Sequence, residues 1–597
     1  MKRKEKLAIL LAEIEDLMLY VKEWEKIYAD KIEQVHPEYA DAARNLVHYY
    51  ALRSQKIGNL QKRLGNFGLS RLSESEPHIM ASLATTRSIL KSMLKEKVKY
   101  PKVQPSFKRS RKATRRNAKE LLGYRSKGRR CRIMVTLPGK YFDDFDLIYE
   151  LVENGMNCGR INCAHESPEE WTRMIENVKI ASEQLRKTCK ISMDLSGPKI
   201  RTGFIARDAR IIKIRHQIDA LGNSISPIKV FFGKSDNPDS NIPEIPLQNY
   251  DAKLIKKNVV LKYTDSRFKQ REIVVQEISE NGFLADLDKT TFFETDFPIQ
   301  IDEENAFLIG MLDQKKKPLY LKENDILIIM KEQTTAQRKK IITDTGEIEP
   351  AYISCTAPQI FGMVKPGEPV VFDDGIIEGF IEEMDEEEIQ VRITNVKGKI
   401  GKLKEDKGIN FPESKLLLPS LSQKDLDDLP FMLQYADVIN VSFVQFPQDV
   451  ANLTKIIKEQ NVDRNVGLIL KIETKTGFDN LPDIILEAMK VYPIGVMIAR
   501  GDLAVETGWD KIGHIQEEIL SFCKAAHITS IWATQVLENL AKKGIPSRAE
   551  ITDAVMATRA DCIMLNKGSY ILKAIKLLDK ILRNVNKKST ALKPIDD

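Results

Sequence analysis

Residues 466–502 read VGLILKIETKTGFDNLPDIILEAMKVYPIGVMIARGD. The apolar run VGLILKI (466–472) has the length of a strand. A polar, Gly-containing turn follows, then a helical pattern, then a second apolar run, IGVMIA (494–499). Strands that alternate with helices pair in parallel, because the helix carries the chain back to the end from which the next strand starts. The same texture recurs on both sides: CRIMVTL (131–137), NCGRINC (157–163), KISMDL (190–195) and DVINVSF (437–443) before it, SIWAT (530–534) and DCIMLN (561–566) after it. Eight such runs close a (β/α)₈ barrel, so the fold class expected is an α/β TIM barrel over 131–203 and 421–585.

One gap is irregular. Residues 204–420 carry alternating β-branched stretches (Ile211 to Ile214, Ile228 to Phe232, Val259 to Tyr263, Ile326 to Met330, Val370 to Phe372, Ile389 to Ile393) separated by Gly, Pro, Asn and Asp turns, the pattern of a mostly β insertion after the third strand. Its size would accommodate two small β units. Ahead of the barrel, residues 1–107 place Leu7, Leu10, Leu11, Ile14, Leu17 and Met18 at helical spacing and hold no recognisable chemistry. Residues 108–130, KRSRKATRRNAKELLGYRSKGRR, contain eleven Lys or Arg and one acid, Glu120. They read as a basic linker or solvated helix face in preference to a nucleic-acid site, because no aromatic residues interleave with the charges in the first half. Residues 586–597 read as a tail.

The 597 residues are 42% hydrophobic and 30% charged, which excludes wholesale disorder and collagen-like structure and gives material for several domains. A formal charge of +7 over so long a chain exerts no global pull toward nucleic acid. Seven Cys form no CxxC and sit mostly inside apolar runs, as buried thiols of a reducing cytosol would, so a cytoplasmic location is expected and a disulfide frame or zinc site is not. Glu13, Glu15 and Asp16 interrupt the first apolar stretch before it could serve as a signal core, and no run is long enough to span a membrane.

In a barrel the chemistry sits where strands end, so the informative residues are those just past each run. The second supplies Arg160, Asn162, Cys163, Ala164 and His165; the third Asp194, Ser196, Lys199 and Arg201; the fifth Lys471 and Glu473; the sixth Arg500, Gly501 and Asp502; the seventh Thr534 and Gln535. Glu473 and Asp502 end adjacent strands with no His or Cys nearby, and two carboxylates with open positions suit Mg²⁺ or Mn²⁺ held partly through substrate oxygens. Lys471 shares a face with Glu473 by the strand period of two. An ammonium beside a divalent ion fits stabilisation of a phosphoryl group in transit. The competing reading is a plain rim salt bridge between Lys471 and Glu473.

The runs RINCAHE, MDLSGPKIRTG, FDDGII, VSFVQFPQDV, LKIETKTGFDNL, GVMIARGDLAVE, IWATQVLENLAKKGIPSRAEITD and DCIMLNKG, in this order, resemble the pyruvate kinase family throughout its barrel, over about 131–203 and 355–585. The resemblance implies phosphoryl transfer between phosphoenolpyruvate and ADP, giving pyruvate and ATP, as in glycolysis. It identifies the β insertion with the family's mobile lid, enlarged here. It assigns Glu473 and Asp502 to the divalent metal, and Lys471 and Arg160 to the transferred phosphoryl group. Backbone N–H groups at Gly501 and Asp502 would hold the substrate carboxylate, Thr534 would assist protonation of the enolate, and His165, Arg201 and Lys407 would meet the nucleotide. Among partners, it leaves room for a homo-oligomer.

Several positions depart from the family. Lys199 stands where members that need K⁺ carry Glu, Ala164 replaces the Ser whose hydroxyl would ligate that ion, and Leu195 stands where the usual pattern has Thr, while Asn162 and Asp194 persist as a remnant of its site. The resemblance therefore implies that the Lys199 ammonium replaces K⁺. Asn566, Lys567, Gly568 and Ser569 replace Ser-Gly-Glu-Thr, and Gln445 and Phe446 replace a basic pair. Beyond Ser569 one helical pattern is left, so the family's C-terminal domain, with its sugar-phosphate effector site, is expected to be missing from this sequence. Two alternatives stand beside the kinase reading: another metalloenzyme acting on a pyruvate enolate, and a non-catalytic, regulatory binding protein of the same fold.

Overall fold

In the computed structural model, which describes residues 3–98, 102–137, 139, 143–164, 166–205, 207–215, 228–234, 242–265, 269–287, 289–302, 305–312, 315–316, 318–338, 341–343, 346–462 and 464–588, all eight expected runs are strands. They are β1 (Arg132–Thr136), β2 (Cys158–Asn162), β3 (Lys190–Asp194), β4 (Val438–Val441), β5 (Gly467–Ile472), β6 (Ile494–Ala499), β7 (Thr529–Ala533) and β8 (Cys562–Leu565). All pair in parallel, and β8 closes on β1. Continuous apolar runs suit such strands because both faces are covered: side chains of one face fill the barrel and those of the other meet the helices. Every residue of β1, β4, β6, β7 and β8 is buried. The last helix, Ile571–Lys588, runs past the expected start of the tail, and residues 589–597 lie outside the described residues.

The N-terminal helices belong to the same compact unit as the barrel, which comprises residues 1–200, 359–375 and 408–597. Helix α1 (Arg3–Ile27) buries Leu7, Leu10, Leu11, Ile14, Leu17, Met18 and Val21, the three-and-four spacing of one helical face, against α2 (Ala40–Arg53) and α3 (Ile79–Met93). The bundle is docked to the barrel: the Asn45 side-chain amide donates to the Ala525 carbonyl at 2.8 Å, the Tyr39 hydroxyl accepts from the Ile494 N–H at 2.9 Å, and Tyr49 packs edge-on against Phe522.

Of the two readings of the basic segment, linker or solvated helix face, residues Phe107–Leu122 take the second: they form a helix, α4, N-capped by Ser106, whose other face buries Ser110, Asn117, Ala118, Leu121 and Leu122, a burial neither reading included. Leu121 and Leu122 enter the core formed by Met134, Cys158, Val438, Ile469, Met497, Ile531, Cys562 and Met564, so the N-terminal end of the barrel is plugged by a segment that precedes it. Gly467 and Gly495 make room for the plug: a Cβ on either would lie 2.4 Å or 2.7 Å from a Leu121 methyl. The cations occupy the opposite, solvated face, which is why charge content alone suggested a linker.

The second compact unit comprises residues 201–358 and 376–407. Two larger sheets dominate it, with two-stranded pairs beside them. One is seven-stranded, from Ile228 to Leu308, with its own core of Val230, Phe232, Tyr263, Phe283, Phe293 and Phe307 among others. In the other, Ile326–Met330 lies between Ala351–Ser354 and Glu388–Val396, and Glu388–Val396 pairs in turn with Ile377–Met384. The unit is not coextensive with 204–420. Residues 359–375 and 408–420 pack with the barrel, where Phe372 pairs with Ile409 and the Ile409 N–H donates to the Ile200 carbonyl. Among the described residues no helix is long and apolar enough to cross a membrane.

Candidate active site

Register brings the polar residues together. Asn162 of β2 pairs with Asp194 of β3, which pairs with Asn440 of β4, so three polar side chains line up at the C-terminal ends of adjacent strands. Asp194, 1% exposed, is the hub. Arg160 donates to it through two nitrogens, at 2.9 and 2.7 Å, and a third reaches the Thr136 hydroxyl at 2.9 Å. Such a two-pronged contact fixes the guanidinium plane as well as its position. The Asn440 amide donates to the same carboxylate.

Lys471 continues the network. Its ammonium lies 2.7 Å from Glu473, 3.4 Å from Asp194 and 2.7 Å from the Ser442 hydroxyl, which in turn donates to the Leu195 carbonyl. Burial opposes the charged ammonium, but Glu473 and Asp194 together hold its pKa above the ordinary lysine value. Asp194 is likewise disfavoured by burial, and Arg160 and Lys471 more than offset it, leaving its pKa low. Glu473, 2% exposed, goes the other way: burial pushes its carboxyl up, Lys471 offsets this in part, and the neighbouring charge of Asp502 adds to it.

Asp502 sits in the first turn of α5 (Arg500–Thr507), which starts directly after β6. The Lys199 ammonium reaches it at 2.6 Å. Lys199 lies in a loop held by Asp425, whose carboxylate accepts from the N–H groups of Ser196 at 2.6 Å and Gly197 at 3.1 Å. At the other end of α5, Glu506 accepts from the Asn410 amide at 2.7 Å, and burial raises its pKa to about 7. Arg500 stacks over Trp532, with its guanidinium carbon 4.8 Å from the ring centroid, and donates to the carbonyls of Ala533 and Thr534, tying α5 to the end of β7. Past that end Thr534 has φ +66° and Gln535 +56°, a conformation unfavourable for a β-branched residue, and the buried Thr534 hydroxyl has no hydrogen-bond partner.

The structure thus brings Arg160, Asp194, Lys471 and Glu473 into one contiguous network and pairs Lys199 with Asp502. Gly501 is the neighbour of Asp502 in α5, and an added Cβ there would lie 3.9 Å from the Thr534 hydroxyl. Asn162 spends its side-chain oxygen on the Ala164 N–H at 3.3 Å. Arg201 and Lys407 belong to the second unit, where Thr202 joins their surroundings: its N–H donates to the Lys407 carbonyl and its hydroxyl accepts from the Lys407 N–H. His165 lies outside the described residues. Lys567 pairs with Glu166 at 3.8 Å. Among the described residues no group of three or more His, Cys, Asp or Glu side chains gathers as a metal cluster, so a cation here would depend on two protein carboxylates.

Sequence reasoning missed Ser442, Asn440, Thr136, Asp425 and Glu506. Asn440 had a signal, an amide inside an apolar strand run. Asp425 had one too, as the fourth residue of a Ser-x-x-Asp capping box starting at Ser422.

A family model for the pyruvate kinase barrel domain matches residues 128–225 and 306–575, passing over a stretch of the second unit. Over 286 residues the chain is 31% identical to a pyruvate kinase of Staphylococcus epidermidis, covering 46% of each chain. Over 463 residues it is 27% identical to a pyruvate kinase of Dictyostelium discoideum, covering 76% of this chain and 66% of that one. The chain spans about half the length of the first curated relatives it matches. A crystal structure of a pyruvate kinase from Cryptosporidium parvum superposes with a TM-score of 0.51 at 21% identity, covering 78% of this chain and 72% of that one, a likeness of fold.

Proposed function

Since the chain belongs to the pyruvate kinase family, we propose that it transfers the phosphoryl group of phosphoenolpyruvate to ADP, giving pyruvate and ATP, in the cytoplasm. The observation that carries this reading is the buried network in which Lys471 bridges Glu473 and Asp194 while Arg160 clamps Asp194. It sets two fixed cations at one point of the barrel rim, as transfer of a highly charged group requires.

Glu473 and Asp502 are the groups to hold a divalent ion. A raised Glu473 carboxyl with Asp502 adding negative potential is an oxygen-donor pair whose mutual repulsion Mg²⁺ or Mn²⁺ would relieve. Bound there, the ion would supply charge neutralisation to the phosphoryl and enolate oxygens. The protein's own groups do the rest. Lys471 and Arg160 bind the phosphoryl group as it leaves phosphoenolpyruvate, and their positions are set beforehand by Glu473 and Asp194, so no reorganisation accompanies the transfer. The N–H groups opening α5, at Gly501 and Asp502, face the substrate carboxylate with the positive end of a helix. The Thr534 hydroxyl, buried without a partner, is free to orient a water that delivers the proton to the enolate carbon. Arg201, Lys407 and His165 contact the nucleotide, and the second unit is the counterpart of the family's lid.

Lys199 supplies the monovalent charge that K⁺ supplies in other members. Support comes from the remnant site, where Asp194 is already met by Arg160, Asn440 and Lys471, and Asn162 by its own loop. The test is a coupled assay of the purified protein with phosphoenolpyruvate, ADP and Mg²⁺. Pyruvate formation that requires all three supports the reading, and its absence in folded protein would leave the non-catalytic alternative.

A further inference from the structure

The end of the barrel opposite the rim carries a second concave feature that the phosphoryl-transfer chemistry does not use. The segments entering β1, β2 and β3 (124–127, 153–157 and 186–188) meet the last helix, Ile571–Lys588, around a cavity of about 860 Å³. Seven cations line it: Arg125, Lys127, Arg186, Lys187, Lys576, Lys580 and Arg583. Only two carboxylates do, Glu153 and Asp579.

The local partners do not absorb this charge. Asp579 is held by Arg583 at 2.6 Å, and Lys187 donates to the Glu153 carbonyl at 2.6 Å, the ordinary task of a cation at a helix C-terminus. Two helices, Phe145–Glu153 and Pro168–Gln184, end here, and each contributes roughly half a negative charge, far short of the excess of cations. Arg125, Lys127, Arg186, Lys576 and Lys580 have no carboxylate partner among the described residues. Like charges gathered without counterions raise the energy of the empty cavity, and a multivalent anion removes that repulsion.

The wall is built as well as charged. Arg129, 2% exposed, lies behind it and donates to the Gly155 carbonyl at 2.8 Å and the Asn157 side chain at 2.9 Å. Gly155 has φ +101°, and a Cβ there would lie 3.1 Å from the Arg129 guanidinium, so glycine is required for that contact. Arg583 donates to the Lys127 carbonyl at 2.8 Å and Asn586 to the Gly128 carbonyl at 3.1 Å, fixing the loop before β1 to the last helix. The lining is thus held from behind while its charges face the cavity.

We propose that this cavity is an anion site separate from the rim, taking a small phosphate compound with three or more negative charges. Guanidinium forks at Arg125 and Arg186 match phosphate oxygens in pairs, and the volume suits a compact molecule. The cations converge on one concavity and do not run out along a groove or stripe, which favours a compact ligand over an extended nucleic-acid strand.

The test uses the full chain and inorganic tripolyphosphate, titrated calorimetrically in magnesium-free buffer. Arg186→Gln combined with Lys580→Gln removes two exposed cations, with retention of the fold checked by circular dichroism. It should weaken tripolyphosphate binding roughly a hundredfold, about tenfold for each charge-assisted hydrogen bond removed. Lys471→Met, at the rim, should leave that binding unchanged, and the charge-keeping pair Arg186→Lys with Lys580→Arg should restore part of it, short of the full affinity because the Arg186 fork is lost. Binding lost in Lys471→Met and kept in the glutamine pair would place the anion at the rim and overturn the proposal. So would the absence of saturable binding, or Arg186-dependent binding of a single-stranded RNA of about 20 nucleotides, longer than one OB-type site, that tripolyphosphate fails to displace.

Discussion

Lys471→Met tests the site most sharply, because the same ammonium serves stability and chemistry. The buried network holds two cations, Arg160 and Lys471, and two anions, Asp194 and Glu473, so it is neutral as built. Methionine keeps most of the volume but leaves one negative charge over, next to a glutamate that is 2% exposed. Removing one partner of a buried pair costs about 3–5 kcal/mol, limited here because Glu473 can take up a proton instead. Burial already pushes its carboxyl up, and the variant loses the chief influence pulling it down. A group with a raised folded-state pKa stabilises most at low pH and loses that contribution as pH rises through the raised value. The stability deficit of Lys471→Met should therefore widen from acid toward neutral pH. Glu473→Gln added to Lys471→Met should recover about 1–3 kcal/mol relative to the sum of the single changes. Urea unfolding of the four proteins of the cycle, without Mg²⁺, measures this. In the coupled assay kcat should fall at least about 10³-fold, equivalent to about 4 kcal/mol of transition-state stabilisation, with the KM for phosphoenolpyruvate little changed. Strict additivity of the two substitutions, or a kcat within about tenfold of the unmutated protein, would refute the argument that Lys471 neutralises this site during transfer.

Activity should be nearly equal in tetramethylammonium and potassium buffers, and Lys199→Glu should create a dependence on K⁺ or abolish turnover; strong K⁺ activation of the unmutated protein would remove Lys199 from that role. Glu506→Gln retains an acceptor for Asn410 but never ionises, so by the same sign rule its stability advantage over the unmutated protein should grow as pH rises from the ordinary glutamate value of 4.5 to about 7 and level off above that. A pH-independent difference in urea midpoint would show that Glu506 is not held neutral. Leu121→Ala should cost about 2–5 kcal/mol by emptying the plugged end of the barrel. Gly467→Ala, whose Cβ would lie 2.4 Å from a Leu121 methyl, should destabilise on its own and less so in the Leu121→Ala background.

The strands were legible because a parallel barrel strand is covered on both faces. A run such as Ile494–Ala499, wholly buried, has no reason to alternate with polar residues. The plug helix was not, because its buried face is mostly Ser110, Asn117 and Ala118, small or polar residues outnumbered by cations, and only Leu121 and Leu122 are large and apolar. Within the site, Lys471 and Glu473 announce themselves as charges ending an apolar strand. Ser442 does not, since a strand-end hydroxyl looks the same whether it meets backbone or an ammonium. Glu506 reads as one more helical glutamate, and only packing reveals that burial raises its pKa. Arg201 and Lys407 became candidates through resemblance alone, each being a common surface residue in a turn.

The plug also sets an order of events during synthesis. Leu121 leaves the ribosome before any barrel strand exists, and the glycines that receive it, Gly467 and Gly495, follow roughly 350 residues later, about 20–70 s at ordinary elongation rates. Until then α4 has no cavity to enter, and its amphipathic face must wait solvated or be held by a chaperone. The barrel cannot close first and be stoppered afterwards, because the plug is joined through Gly123 and a few residues to β1, itself one of the staves. Nascent chains arrested before residue 467 should therefore leave α4 open to protease, whereas chains arrested after β6 should protect it.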